Sequence, residues 1–306
     1  MVGPSFSPLS FGAWAAGGVG WGAVEDRESV DAMRRAVELG ITVLDTAPIY
    51  GFGHSEEVVG RALKGIRDRV LLVTKCGLVW DDERRVRIDN RPATLFAEVD
   101  RSLRRLEVEQ IDLYLVHWPD PGTPLEETMN ALEEIRASGK VRWIGVSNFD
   151  AAQLEQASRL ARLDAVQLGY NLLNREVEAE VLPTCSGLGL PVMAYSPLAQ
   201  GLLAGRFTRQ TRLAPDDVRN SNPLFAAERL PGVLDAVDRL REVARRRGRS
   251  LIELALGWVL RQAPVATAVC GARKPSHLEG LAAILRRPLV EEEIQEIEQA
   301  VGTPVG

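Results

Sequence analysis

The chain has 306 residues, of which 45% are hydrophobic and 26% charged, and it carries a formal net charge of −5. That length fits one large domain or two ordinary ones, and the composition fits a folded globular protein rather than a disordered or fibrous one. The mild negative charge gives no reason to expect nucleic-acid binding.

The basic residues are scattered. Their densest run, Arg245-Arg246-Arg247-Gly248-Arg249, closes an amphipathic pattern, where solvated cations are favoured by the helix dipole. Cys76, Cys185 and Cys270 are odd in number and lack metal-ligand spacing, which argues for a reducing compartment rather than a disulfide framework. With only 3 histidines a multi-histidine centre is not expected, and no metal is assigned. No basic segment followed by an apolar core opens the chain, and no apolar run approaches membrane-spanning length. The expectation is a cytoplasmic protein without membrane contact.

In chain order, short apolar runs alternate with amphipathic ones. An extended run at Leu9–Ala13 precedes a helix over Arg27–Leu39, stopped by Gly40. Strand Ile41–Leu44 precedes helix Ser55–Lys64, and strand Val70–Val73 precedes Ala93–Leu106. Strand Ile111–Val116 leads to helix Leu125–Ser138, stopped by Gly139, and strand Val141–Val146 to helix Ala151–Ala161, capped by Asp150. Strand Ala165–Leu168 precedes a helix over Glu176–Cys185. Strand Leu190–Ala194 runs into an irregular stretch, 196–231, then helices Gly232–Arg246 and Leu251–Gln262. Strand Val265–Cys270 precedes helices Ser276–Leu285 and Glu291–Val301.

Eight strands alternating with helices predict an α/β fold, a (β/α)8 TIM barrel spanning 1–306 as a single domain. The run Trp14-Ala15-Ala16-Gly17-Gly18-Val19-Gly20 lacks the spacing and following helix of a dinucleotide-binding turn, which weighs against an open doubly wound sheet. The segment 196–231 is too long for a mere connection and is expected to be a lid or binding loop.

In a barrel all strand C-termini open on one face. Asp45, Lys75 and His117 each stand just past an apolar run, and Tyr50 follows in the loop after the second strand, so the four should converge. A lysine ammonium beside a phenol favours the phenolate and should lower the tyrosine pKa; a carboxylate beside the lysine keeps it charged. That set suits delivery of a proton to a carbonyl, with His117 bonding the substrate oxygen. Taken singly, each residue has a plainer reading. Asp45 can cap a turn before Pro48, Lys75 can lie at the surface, Tyr50 can pack in a loop, and His117 can be a satisfied structural histidine. Their joint arrival at strand ends favours a site.

Several motifs then carry a resemblance. They are Leu44-Asp45-Thr46-Ala47-Pro48-Ile49-Tyr50-Gly51, Glu56-Glu57-Val58-Val59-Gly60, Thr74-Lys75, and Ile111-Asp112-Leu113-Tyr114-Leu115-Val116-His117-Trp118-Pro119-Asp120. Further along stand Lys140-Val141-Arg142-Trp143-Ile144-Gly145-Val146-Ser147-Asn148-Phe149, Tyr195-Ser196-Pro197-Leu198-Ala199-Gln200-Gly201-Leu202-Leu203 and Gly271-Ala272-Arg273-Lys274-Pro275. In this order and over nearly the whole chain, they resemble the aldo-keto reductases, with the runs around Tyr50 and Arg273 most similar to bacterial stress-related members.

The resemblance implies an NADPH-dependent oxidoreductase acting on aldehydes and ketones, with Tyr50 as general acid, Lys75 and Asp45 tuning it, and His117 orienting the carbonyl. It implies Ser147, Asn148 and Gln167 on the nicotinamide carboxamide and Tyr195 stacked on the ring. Ser196, Pro197, Leu198, Gln200, Gly201 and Arg206 would line the pyrophosphate. Gly271, Ala272, Arg273 and Lys274, with His277, would receive the 2′-phosphate end. Trp14, Trp80 and Trp118 are assigned to the substrate pocket, and the protein is expected to be a monomer.

The sequence departs from the commoner family pattern at His277, where many members have Gln or Arg, and at Gly280 and Leu281, where a Glu-Asn pair usually contacts the adenine. The segment before Leu9 is short for a barrel-plugging hairpin, and the tail after Val301 is brief, which predicts an open pocket. Two other readings remain at this point. One is a regulatory module resembling potassium-channel β-subunits, with little turnover. The other is a metal-dependent hydrolase barrel.

Overall fold

The computed structural model describes residues 3–22, 24–282, 284 and 287–302. Its strands are β1 (Leu9–Gly12), β2 (Val43–Asp45), β3 (Leu71–Cys76), β4 (Leu78–Trp80), β5 (Val86–Ile88), β6 (Ile111–Val116), β7 (Val141–Ser147), β8 (Ala165–Gly169), β9 (Val192–Tyr195) and β10 (Val265–Gly271). Eight of them close a parallel barrel in the ring order β1-β2-β3-β6-β7-β8-β9-β10, with β10 pairing back onto β1. The expected (β/α)8 architecture is found. The helices are α1 (Asp26–Glu38), α2 (His54–Leu63), α3 (Pro92–Leu106), α4 (Leu125–Ala137), α5 (Ala151–Leu160), α6 (Val181–Leu188), α7 (Leu230–Arg247), α8 (Leu251–Leu260), α9 (Glu279–Ala282) and α10 (Glu291–Val301). None of the described helices is long and apolar enough to cross a membrane.

Strand periodicity decides which side chains reach the site. Successive residues on a strand point to opposite faces. Val43, Val73, Leu113, Leu115, Ala165, Met193 and Val269 pack together inside the barrel. Leu44, Leu72, Tyr114, Val146, Val166 and Ala194 belong to the larger core between barrel and helices. Asp45, Lys75, His117, Gln167 and Tyr195 each follow an inward residue by two positions, so they too aim inward, one layer higher. The outward face meets amphipathic helices: α1 buries Ala32, Met33, Ala36 and Val37, one stripe at helical spacing.

Helix starts follow local chemistry. Pro92 opens α3, and Asp150 caps α5 in a reciprocal box with Gln153, as expected. Three local expectations are corrected. Lys75 lies within β3 rather than after it. The helix placed over Glu176–Cys185 is a 3-10 turn at Glu176–Glu178 followed by α6; Pro183 sits in the first turn of α6, where its missing N–H costs nothing, and would break a helix begun earlier. The span Ser276–Leu285 is a 3-10 turn, Pro275–His277, then the short α9, with residues 283 and 285 outside the described set. The antiparallel β4–β5 hairpin lies between β3 and α3, where no strand is predicted. The segment after β9 is a chain of 3-10 turns, Ala199–Ala204, Val218–Ser221 and Pro223–Phe225, before α7 begins at Leu230.

Candidate active site

A cavity of about 650 Å³ opens at the C-terminal mouth of the barrel. On its floor the polar ends of β2, β3 and β8 meet. The Lys75 Nζ donates to both Asp45 carboxylate oxygens, at 2.9 and 3.0 Å, and to the Thr46 carbonyl at 2.9 Å. Gln167 Nε2 donates to Asp45 Oδ1 at 2.8 Å. Lys75 is fully buried, and its Nζ lies 5.2 Å from the Tyr50 ring centroid.

Tyr50 is held from two sides. Its ring stacks on Trp14 with centroids 5.8 Å apart and meets His117 edge-on at 5.9 Å. Its backbone is fixed by close packing of two glycines. A Cβ on Gly51 would fall 2.2 Å from the Gly17 carbonyl oxygen, and Gly51 has φ +66°, so neither contact nor conformation admits a side chain. Ser55 Oγ bonds the Ala13 carbonyl at 2.8 Å and the Thr46 hydroxyl at 2.9 Å, tying the start of α2 to β1 and β2.

The electrostatics correct one expectation. Burial pushes the Tyr50 phenol well above its ordinary value of 10.0, and the Asp45 charge pushes the same way. The Lys75 ammonium, 5.2 Å from the ring centroid, does not offset these two effects. The phenol is therefore protonated at neutral pH, the state a proton donor requires. Burial first, and the Lys75 charge second, hold His117 well below 6.5, so its imidazole is neutral.

On the next wall, Asn148 has φ +63° and links three elements. Its Nδ2 donates to the His117 carbonyl at 2.9 Å and to Ser147 Oγ at 3.1 Å, and its Oδ1 accepts from the Tyr195 hydroxyl at 2.9 Å. Ser196 and Gln200 also sit at positive φ against the cavity. Such strain in non-glycine residues concentrates at functional sites.

Most of the expected residues converge. Asp45, Tyr50, His117, Ser147, Asn148, Gln167, Tyr195, Ser196, Pro197, Leu198, Gln200, Gly201, Arg206, Gly271, Arg273, His277, Trp14 and Trp118 line the cavity. Four stand apart from its walls. Lys75 lies beneath the floor, and Ala272 is buried. Lys274 pairs with Glu28 at 3.1 Å. Trp80 packs edge-on against Phe52 at 5.6 Å on the hairpin. Sequence reasoning missed Trp21, Phe207 and Arg219. Arg219 pairs with Asp217 and lies over both rings, 5.5 Å from Trp21 and 5.2 Å from Phe207. The Val218 N–H bonds the Gly20 carbonyl at 3.0 Å, so the loop after β1 and the segment after β9 bridge over one end of the cavity. That bridge joins residues nearly two hundred positions apart and has no local signal.

The Aldo/keto reductase family model matches residues 8–301. The chain belongs to the Aldo/keto reductase family. It is 42% identical to the aldo-keto reductase YhdN of Bacillus subtilis (strain 168), over 98% of this chain and 92% of that protein. It is 36% identical to the NADH-specific methylglyoxal reductase of Escherichia coli (strain K12), over 92% of this chain and 90% of that protein. Among solved structures, the glycerol dehydrogenase of Gluconobacter oxydans superposes with a TM-score of 0.90 at 39% identity, covering 98% of this chain and 93% of that one. An aldo/keto reductase from Klebsiella pneumoniae, solved with NADP and acetate, gives 0.75 at 32% identity, with coverage of 98% and 93%. These relatives are oxidoreductases on the same barrel.

In this aldo-keto reductase two buried carboxylates fix the strand that carries Lys75. Thr74 faces outward and donates to Glu56 Oε1 at 2.7 Å, and Glu56 also receives Arg105 Nε at 2.6 Å. The Gly77 N–H donates to Glu98 Oε2 at 2.7 Å. Burial, partly opposed by that backbone bond, pushes Glu98 up to about 7, above its ordinary 4.5. A raised folded-state value means that the stability linked to this proton is full below about 4.5 and lost as pH rises through about 7. Glu98→Gln keeps an acceptor for Gly77 and removes the charge. It should therefore melt with wild type near pH 4 and be more stable by up to about 3 kcal/mol at pH 8. Equal melting of both proteins across that range would show that Glu98 does not titrate in this way.

Proposed function

We propose that this protein is an NADPH-dependent reductase of aldehydes and ketones, with Tyr50 as proton donor. The observation that carries the reading is the pairing of two ends of one cavity. A protonated phenol and a neutral imidazole stand at one end, above the buried Lys75–Asp45 pair, and Arg206, Arg273 and His277 stand at the other. Burial lowers the His277 pKa, and the charges of Arg206, Arg273 and Lys274 lower it further, which marks a concentration of positive charge fit for phosphate. Ser147, Asn148 and Tyr195 are bonded together beside His117, and in this reading they receive the nicotinamide.

When bound, the reduced nicotinamide supplies a hydride to the carbonyl carbon. The His117 imidazole donates a hydrogen bond to the carbonyl oxygen and orients it. The Tyr50 hydroxyl gives its proton to that oxygen as the C–O double bond becomes single, leaving an alcohol and the oxidised cofactor. The phenolate left on Tyr50 is stabilised by the Lys75 ammonium and regains a proton from solvent. Asp45 holds Lys75 in place, and Gln167 holds Asp45. Three buried free thiols agree with a reducing, cytoplasmic setting, and the working state is a monomer.

Cofactor choice separates the cations. Arg273 is on the cavity wall, with Nη1 on the Trp21 carbonyl at 3.1 Å, whereas Lys274 stands off the wall and pairs with Glu28. Arg273→Ala should weaken NADPH by about tenfold or more, the size of one charge-assisted bond, and NADH far less. Lys274→Ala should change either affinity little. Dissociation constants for both cofactors check this. Equal losses of NADPH and NADH in Arg273→Ala would refute the phosphate role, and failure to oxidise either cofactor with any of a panel of aldehydes and ketones would refute the reductase reading.

A further inference from the structure

We propose that the apolar face of the β4–β5 hairpin is an outer substrate subsite, which takes the hydrocarbon tail of a carbonyl compound whose C=O sits at Tyr50. This inference rests on the reading of the cavity as a carbonyl-reducing site.

The register of the hairpin builds that face. Leu78 pairs with Ile88 and Trp80 with Val86, and directly opposed residues of an antiparallel pair share a side, as do residues two apart. All four apolar side chains therefore lie on one face, while Val79 and Arg87 take the other. Leu78 lines the catalytic cavity, so the face looks toward its mouth. Trp118, directly after His117, lines the same cavity, and Asn90 Nδ2 ties its carbonyl to the end of the hairpin at 2.9 Å.

The outer part of this surface is left open. Val86 is 49% exposed, Ile88 38% and Trp118 42%, half of the six large apolar residues so exposed among the described residues. Scattered exposed apolar residues need no explanation, but a contiguous set continuous with a ligand cavity does. The hairpin turn carries Asp81, Asp82, Glu83, Arg84 and Arg85, so the apolar surface ends where the turn begins. A substrate with its carbonyl at the cavity floor and an alkyl or aryl extension leaving by the mouth would run along it. The occupant inferred is that extension. A purely polar or very short substrate would leave the face bare.

The test is kcat/KM with NADPH for straight-chain aldehydes from propanal through octanal, for wild type and for Val86→Thr with Ile88→Thr. Threonine keeps the β-branched shape a strand favours and adds only a hydroxyl at each exposed site. Wild type should gain about twofold to fourfold per added methylene once the chain reaches the face, up to the value for full burial of a methylene. The double variant should lose most of that gain for the longer aldehydes and keep wild-type kcat/KM with propanal. A flat series in wild type, or an unchanged slope in the double variant, overturns the subsite. A change in oligomeric state on substitution with the slope unchanged assigns the face to a second copy of the chain and overturns it too. If no aldehyde of any length is reduced, the underlying reading of the cavity fails instead.

Discussion

Tyr50→Phe is expected to cut carbonyl reduction by about a hundredfold or more, in line with the contribution of a positioned general acid. The substitution removes the hydroxyl alone. The ring stays stacked on Trp14 and edge-on to His117, and the Gly17–Gly51 contact that fixes the backbone is untouched. NADPH affinity, followed by fluorescence, should therefore barely change. Burial and Asp45 keep the phenol protonated, so wild-type activity should not require acid conditions to load the donor. A Tyr50→Phe enzyme with near wild-type turnover would remove Tyr50 from the chemistry.

Lys75→Met should damage both activity and folding. The ammonium makes three close hydrogen bonds, and its loss leaves the buried Asp45 carboxylate with the Gln167 amide alone among those side chains. Removing one partner of a buried ion pair costs about 3–5 kcal/mol, because the other charge stays desolvated. Turnover should fall severely as well, since the phenolate formed at Tyr50 loses its nearby cation. Asp45→Asn added to Lys75→Met should restore much of the lost stability and none of the activity. Asp45→Asn alone should be the milder change, since Lys75 keeps the Thr46 carbonyl. Thermal melting and steady-state turnover of the three variants separate the two roles. A Lys75→Met protein as stable as wild type would mean the pair is not the buried strut that its geometry describes.

The barrel was legible because its signal is local and repeated: short apolar runs of strand length, each followed by a stripe at helical spacing. The floor of the site was legible because strand parity carries polar residues inward two positions beyond Val43, Val73 and Ala165. Other features depended on contacts that local pattern does not encode. The sequence placed Lys75 and Asp45 beside Tyr50 but not the depth at which the phenol is buried, so the direction of the Tyr50 shift was misjudged. Gln167 was assigned to a nicotinamide amide, and local pattern gave no sign that its Nε2 also bonds Asp45 across 122 positions of chain. Lys274 looked equivalent to Arg273 until the fold brought Glu28 beside it. The β4–β5 hairpin was overlooked because its strands are three residues each and its turn is densely charged, which resembles a solvated loop. The Arg219 bridge needed two loops that are distant in sequence but that ring closure brings near, since only β10 stands between β1 and β9.

The most direct test of the central claim is a single turnover of the wild-type enzyme with NADPH deuterated at the transferable position of the nicotinamide and an aromatic aldehyde, followed by mass analysis of the product. The account predicts one alcohol per NADPH consumed, with deuterium at the carbinol carbon. NADPH left unoxidised, or an alcohol carrying no label there, would contradict it.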